Sequence, residues 1–124
     1  MAALVKALVV LVALEHVWFL VLETFLWTRP VGLRTFRQSA EQARASASLA
    51  ANQGLYNGFL AAGLLWGVFA SPPGCGPAIT AFFLVCVVVA GGFGAFTVSP
   101  RILLVQALPA AIALAGVLAS RSAS

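Results

Sequence analysis

The chain has 124 residues, of which 62% are hydrophobic, and it carries seven basic against three acidic side chains. A soluble domain of this length would have about one quarter charged residues, so the composition excludes an ordinary soluble protein and indicates an integral membrane protein. The net charge of +4 comes with no nucleic-acid-binding motif. We therefore interpret the charge as a signal of membrane topology and expect no nucleic acid partner.

Four apolar segments of about 20 residues each, the length that crosses a bilayer, follow one another along the chain. Breaks rich in proline, glycine and serine separate them. The fold class predicted from this pattern is all-α, an integral membrane four-helix bundle. We expect residues 1–124 to form a single domain with spans at about 4–27, 49–70, 77–97 and 101–120.

The first span contains ionisable side chains where lipid favours apolar ones. His16, Phe19, Glu23 and Trp27 follow one another at intervals of three or four residues, which places them on one stripe of a helix. Ionisable groups within a bilayer are costly and tend to face other helices or a wet cavity. We therefore expect this stripe to face the remaining helices. Glu15 points roughly 100° away, and its role is left open.

Basic side chains are unequally divided between the two ends of the predicted spans. Because an excess of lysine and arginine marks the cytoplasmic side, we expect a multi-pass protein of the plasma membrane with both termini outside. The loop between the first two spans holds most of the arginines, with one acid among them: Arg29, Arg34, Arg37, Arg44 and Glu41. Within that loop, Ser39-Ala-Glu-Gln42 fits a capping box, so the second helix is expected to begin near Ser39.

The second span opens with four hydrogen-bonding side chains in six positions, namely Asn52, Gln53, Tyr56 and Asn57. Pairs four residues apart share a helix face, so the four side chains are predicted to lie on two adjacent faces. Glu23 lies at a similar predicted depth on the first helix. We expect its carboxyl group to come within hydrogen-bond reach of at least one of the four.

The fourth span adds Gln106 at the same predicted depth, which completes a polar layer in the cytoplasmic half of the membrane. Gly54 and Gly58 form a G-x-x-x-G pattern, which lets membrane helices approach closely. We predict that the two glycines lie on the side of the second helix opposite to its polar residues.

Three segments, "EHVWFLVLETFLWTRP", "AANQGLYNGFLAAGLLWG" and "VAGGFGAFTVSPRILLVQALPAAIAL", resemble the small bacterial and fungal membrane family known as domain of unknown function thirteen-oh-four. The resemblance covers nearly the whole chain and implies a four-helix architecture. The family pattern carries over to fourteen positions, which are His16, Phe19, Glu23, Trp27, Asn52, Gln53, Gly54, Tyr56, Asn57, Gly58, Gly94, Thr97, Gln106 and Pro109.

A weaker, architectural likeness is to styrene oxide isomerase, a small four-helix membrane enzyme that holds haem through a histidine on its second helix. The second span here has no histidine, so we expect no cofactor, with haem on His16 as the alternative left open. A single histidine and the lack of Cys/His ligand spacing also argue against a metal site.

Three functions remain open from the sequence. The first is a small acid–base enzyme that isomerises or hydrolyses an epoxide or a similar lipophilic molecule; the second is a proton-coupled carrier; the third is a structural or accessory membrane protein. The expected partners are membrane lipid, a small lipophilic ligand and further copies of the same chain. For the enzyme we predict Glu23, Tyr56 and His16 as catalytic residues and, as substrate-binding residues, Asn52, Gln53, Asn57, Gln106, Trp27 and Phe19.

Overall fold

The computed structural model describes residues 1–123, and within them all regular structure is helical. This confirms the all-α class. The helices are α1 (Ala3–Thr24), α2 (Pro30–Thr35), α3 (Ala40–Leu65), α4 (Gly76–Thr97) and α5 (Leu108–Ser122). A π-helical turn, Trp66–Ala70, continues α3, and a second one, Leu103–Ala107, leads into α5.

Three helical segments of the described residues are long and apolar enough to cross a membrane: Ala3–Thr24, Gly76–Thr97 and Leu103–Ser122. They correspond to the first, third and fourth predicted spans and indicate a membrane protein. The predicted span 49–70 is helical, in α3 and its π-helical turn, but it is not among the three. Its two asparagines, glutamine and tyrosine lower the hydropathy of that stretch. Over residues 1–123 the fold therefore consists of five α-helices with three apolar spans, rather than an established bundle of four.

The first helix ends at Thr24, three residues before the predicted boundary. The backbone amides of Phe25 and Leu26 both donate to the carbonyl oxygen of Val21, at 2.9 and 3.1 Å. The last turn thus widens from the α-helical to the π-helical pattern, and the chain leaves the helix. Glu23 consequently lies in the last turn of α1 and not one turn further in.

The short helix α2 packs directly on the backbone of this turn. Pro30 occupies the first turn of α2, where its missing amide and fixed φ are favourable. Gly32 is buried, and a Cβ atom there would overlap the carbonyl oxygen of Leu26 and lie 2.7 Å from that of Trp27. This close approach of two backbones explains why a glycine stands at position 32.

The start of α3 is the predicted capping box. The backbone amide of Ser39 donates to Oε1 of Gln42 at 2.9 Å, and the amide of Gln42 donates to Oγ of Ser39 at 3.1 Å. The two bonds satisfy amides that the first turn of a helix leaves without partners. The helix begins at Ala40, so this prediction is confirmed.

The chain divides into two compact units, and the prediction of a single domain is not tested by this division. One unit, residues 14–61, contains the second half of α1, α2 and most of α3. In the other, which joins residues 1–13 to the chain from Ala62 onward, α4 packs closely on its neighbours. A Cβ on Gly91 would lie 2.8 Å from that of Ala107, and one on Gly67 would overlap Oγ1 of Thr80.

Candidate functional site

The site is built where α3 packs against the end of α1, within the unit of residues 14–61. A seam of buried residues, Ala50, Gly54, Asn57 and Ala61, recurs at intervals of four and three along α3. A Cβ on Gly54 would overlap Oγ1 of Thr24, and it would lie 3.2 Å from the Cβ of Glu23. The small residues therefore bring the backbone of α3 against the last turn of α1, as small residues do between membrane helices.

The side on which these glycines lie differs from the prediction. Gly54 and Gly58 both face α1, and a Cβ on Gly58 would lie 2.6 Å from Cδ1 of Leu20. Asn57, which meets Glu23, shares this face because it follows Gly54 by three residues, nearly one turn. The prediction that the glycines and the polar residues occupy opposite sides is therefore wrong for Asn57.

The centre of the site is a buried pair of side chains. The amide Nδ2 of Asn57 donates to Oε1 of Glu23 at 2.6 Å. Only 3% of Glu23 and 8% of Asn57 is exposed. This hydrogen bond to Asn57 confirms the prediction that Glu23 comes within hydrogen-bond reach of at least one polar residue of the second predicted span. A hydrogen bond to the ionised form of a carboxyl group belongs to the stronger class of protein hydrogen bonds.

The second oxygen of the Glu23 carboxyl group differs from the first in its hydrogen bonding. Oε2 of Glu23 is buried, and it has no hydrogen-bond partner among the described residues. The side chain of Gln53 lies near the carboxyl group, and Gln53 itself is exposed. Buried polar atoms without partners are few in folded proteins and usually have a functional or structural reason. Oε2 is therefore the atom of this site with capacity for a further hydrogen bond.

Two of the predicted site residues of α3 lie on its outward face. Asn52 and Tyr56 are exposed, and the ring of Tyr56 lies 6.1 Å from that of Phe59. At 100° per residue, this face is roughly opposite to the seam that contains Asn57. The structure thus brings Asn57 to the carboxyl group of Glu23, with Gln53 beside it, and the roles of Asn52 and Tyr56 at the site stay predictions.

On α1, His16 and Phe19 are in contact with each other. His16 is fully buried, and its ring meets that of Phe19 edge-on at 5.2 Å between centroids. His16 precedes Glu23 by seven residues, a rise of roughly 10 Å along the helix. The imidazole therefore belongs to a different layer of α1 from the carboxyl group. The predicted catalytic role of His16 and the substrate contact of Phe19 stay predictions.

Trp27, in the turn after α1, contacts both α3 and the residue that follows α2. Its indole Nε1 donates to Oγ of Ser46 at 3.1 Å, and its ring lies 4.7 Å from the ring of Phe36. Ser46 was missed by the sequence analysis. The only sequence signal is its spacing of four residues from Gln42, whose carbonyl oxygen it also contacts, at 2.8 Å. The predicted contact of Trp27 with a substrate stays a prediction.

Gln106 is half-buried in the π-helical turn Leu103–Ala107. Such turns are frequent at functional positions of helices. Its predicted place in one layer with Glu23 stays a prediction. Thr80, which was not predicted as a site residue, is fully buried, and its Oγ1 has no hydrogen-bond partner among the described residues. A single threonine in an apolar segment gives no indication in the sequence that its hydroxyl group will be buried without a partner.

The profile of the family described as "Protein of unknown function (DUF1304)" matches residues 10–118. The chain belongs to this family. The match confirms the resemblance found in the sequence and includes Glu23 and Asn57. A similar protein is the "Uncharacterized protein YpaA" of Lactococcus lactis subsp. lactis (strain IL1403), which is 32% identical over 116 residues, 92% of this chain and 96% of that protein. No solved structure gives a significant match.

Proposed function

We propose that this DUF1304 protein crosses the plasma membrane four times, with residues 49–70 as the second span. Large apolar side chains on α3 support this crossing, since Leu49, Leu55 and Phe59 are each at least half exposed, as is typical of a surface that faces lipid. We further propose that both termini lie outside. The exposed arginines of the segment between α1 and α3 then face the cytoplasm, as the positive-inside rule requires.

The orientation is tested by labelling single cysteines in a variant that lacks Cys75 and Cys86. We expect Ser39→Cys to resist a membrane-impermeant maleimide in intact cells and to react after permeabilisation. Ala2→Cys is the matched control and is expected to react from outside. Ser124→Cys, at a position outside the described residues, would report the C-terminus. Labelling of Ser39→Cys in intact cells would contradict the orientation.

For the activity, we propose a small acid–base enzyme that acts on a lipophilic substrate within the membrane. The observation that carries the proposal is the carboxyl group of Glu23. Asn57 holds one of its oxygens at 2.6 Å, and the other is buried without a partner. A hydrogen bond that fixes one oxygen also orients the other, so the second oxygen is preorganised for proton transfer to or from a bound molecule.

Isomerisation of an epoxide to a carbonyl compound is the reaction class that fits one such carboxyl group. The carboxyl group gives its proton to the epoxide oxygen as one carbon–oxygen bond breaks. A hydrogen then moves with its electron pair from the carbon that keeps the oxygen to the neighbouring carbon. The resulting protonated carbonyl returns its proton to the carboxylate. The cycle consumes no water and no cofactor, which suits a site in a membrane.

The proposed activity is tested with the purified protein in phospholipid vesicles that contain a lipophilic terminal epoxide. We expect a carbonyl product that is an isomer of the substrate, separated from it by gas chromatography and identified by its fragmentation in mass spectrometry. A diol, heavier by one water, would instead identify a hydrolase. Absence of any conversion across aryl and long-chain alkyl epoxides would contradict the isomerase proposal.

A second carboxyl group on α1 favours a proton-coupled carrier as the alternative. Oε1 of Glu15 is also buried without a hydrogen-bond partner among the described residues. Intramembrane carboxyl groups are a recurring feature of proton-coupled transport. Protein-dependent acidification of the vesicle lumen on addition of a ligand, without chemical conversion, would favour the carrier. Neither conversion nor proton movement would leave the structural or accessory role.

A further inference from the structure

The outward face of α3 carries a regular stripe of six residues. They follow one another alternately at intervals of three and four and are all exposed, and we call them the outward stripe: Gln42, Ala45, Leu49, Asn52, Tyr56 and Phe59. An interval that alternates between three and four is the heptad spacing with which two helices pack side by side along a seam. The stripe lies on a face of α3 roughly opposite to the buried seam of Gly54 and Asn57.

The side chain of Asn52 at the centre of the stripe is unusual for a surface that faces lipid. It is exposed, and its amide makes no hydrogen bond with the described part of the chain. A free amide in a hydrocarbon environment is energetically costly unless it is paired with a hydrogen-bond partner. Apolar side chains of the same stripe are also exposed, Leu49 at 76% and Phe59 at 56%. In a single chain the amide of Asn52 would therefore face lipid.

A second copy of the same chain is the partner whose chemistry fits this stripe. An asparagine side chain carries both donors and an acceptor, so two copies of Asn52 that meet on a two-fold axis satisfy each other. An asparagine in a heptad seam restricts the register in which two helices associate, because its amide must meet a partner. Two copies inserted in the same orientation also have parallel α3 helices, as heptad packing of this kind requires.

We propose that the protein forms a parallel homodimer through the outward stripe of α3, with the two Asn52 side chains hydrogen-bonded to each other. Leu49 and Tyr56 flank this pair one turn to either side and exclude lipid from it. The proposal rests on α3 being a membrane span but not on the chemistry of Glu23. It gives Asn52 and Tyr56 a role in association instead of the substrate contact and catalysis predicted from the sequence.

Oxidative crosslinking tests the geometry. In a variant that lacks Cys75 and Cys86, single cysteines are placed at positions 49, 52 and 56 and oxidised in native membranes at low expression. We expect disulfide-linked dimers from all three. Leu55→Cys is the matched control, because Leu55 is also exposed but lies about 60° from Asn52 around the helix, and it should form little or none. Equal crosslinking at position 55, no dimer at positions 49, 52 and 56, or a crosslinked product whose mass is not that of two chains would overturn the proposal.

Association measured by energy transfer between labelled chains in lipid vesicles tests the amide pair itself. Interhelical hydrogen bonds of this kind contribute about 0.6–2 kcal/mol in membranes, so Asn52→Leu is expected to weaken dimerisation about three- to thirtyfold. Asn52→Gln keeps an amide and should retain more of the affinity, and Leu55→Ala should change it little. An Asn52→Leu protein that associates as tightly as the wild type, with the helical circular dichroism of the wild type, would refute the amide pair.

Discussion

Gly32→Ala is expected to lower the free energy of unfolding by about 3 kcal/mol, at the upper end of the range for overpacked sites. The added Cβ would overlap the carbonyl oxygen of Leu26 and would also lie 2.9 Å from the carbonyl carbon of that residue. All the nearby atoms belong to the backbone, so no side-chain rotation relieves the overlap. The segment α2 and the turn after α1 must then separate.

Unfolding of Gly32→Ala is followed by titration with a denaturing detergent in mixed micelles, read by circular dichroism. The matched control is Gly92→Ala in α4, where an added Cβ meets no atom within 4 Å. That change is expected to be neutral or to stabilise by up to about 1 kcal/mol through helix propensity. Equal stability of Gly32→Ala and the wild type would mean that α2 does not pack on the turn as described.

Replacing either Glu23 or Asn57 alone is expected to lower the free energy of unfolding more than replacing both residues together. Asn57→Leu takes the donor from Oε1 of Glu23, whose other oxygen already lacks a partner. Glu23→Leu leaves the amide of Asn57 buried without its acceptor. Each single change should destabilise by about 1–3 kcal/mol, the cost of an unsatisfied buried polar group. The double variant should regain part of that loss because neither polar group remains.

The double-mutant cycle is measured by the same detergent titration, and we expect a coupling free energy of about 1–3 kcal/mol. Asn52→Leu is the matched control on the same helix, measured in dilute detergent where chains are monomeric. Its exposed amide makes no hydrogen bond within the described chain, so the change should stay within about 0.5 kcal/mol. Additive effects at positions 23 and 57 would show that the two side chains do not interact.

Local and periodic features were predictable from the sequence. The capping box at Ser39 depends on side chains and amides within one turn, so the pattern alone identified it. The contact between Glu23 and Asn57 followed from two requirements, namely that an ionisable side chain faces other helices and that adjacent membrane helices in a hairpin match in depth. The family was evident from the quoted segments and is confirmed by the match over residues 10–118.

The rest depends on contacts between segments that are distant in the sequence. The close approach of Gly32 to the carbonyl oxygen of Leu26 joins two segments in a way that no local pattern near Thr24 predicts. The rotation of α3 about its axis, which turns Asn57 inward and Asn52 outward, is set by the buried seam of Ala50, Gly54 and Ala61. The four polar residues among positions 52–57 are consistent with either Asn52 or Asn57 facing inward. The packing of α3 on α1 decides which of the two does.

The central claim is that the carboxyl group of Glu23 transfers a proton to and from a bound lipophilic molecule. The most direct test is turnover of the epoxide by Glu23→Gln, which keeps the shape and the hydrogen bond to Asn57 but cannot exchange a proton in this way. The matched control is Glu15→Gln, the same change at the other carboxyl group of α1. We predict that Glu23→Gln folds normally and loses at least a hundredfold in kcat, the lower end of what a general acid–base group contributes, while Glu15→Gln stays near the wild type. Full turnover by Glu23→Gln would contradict the claim.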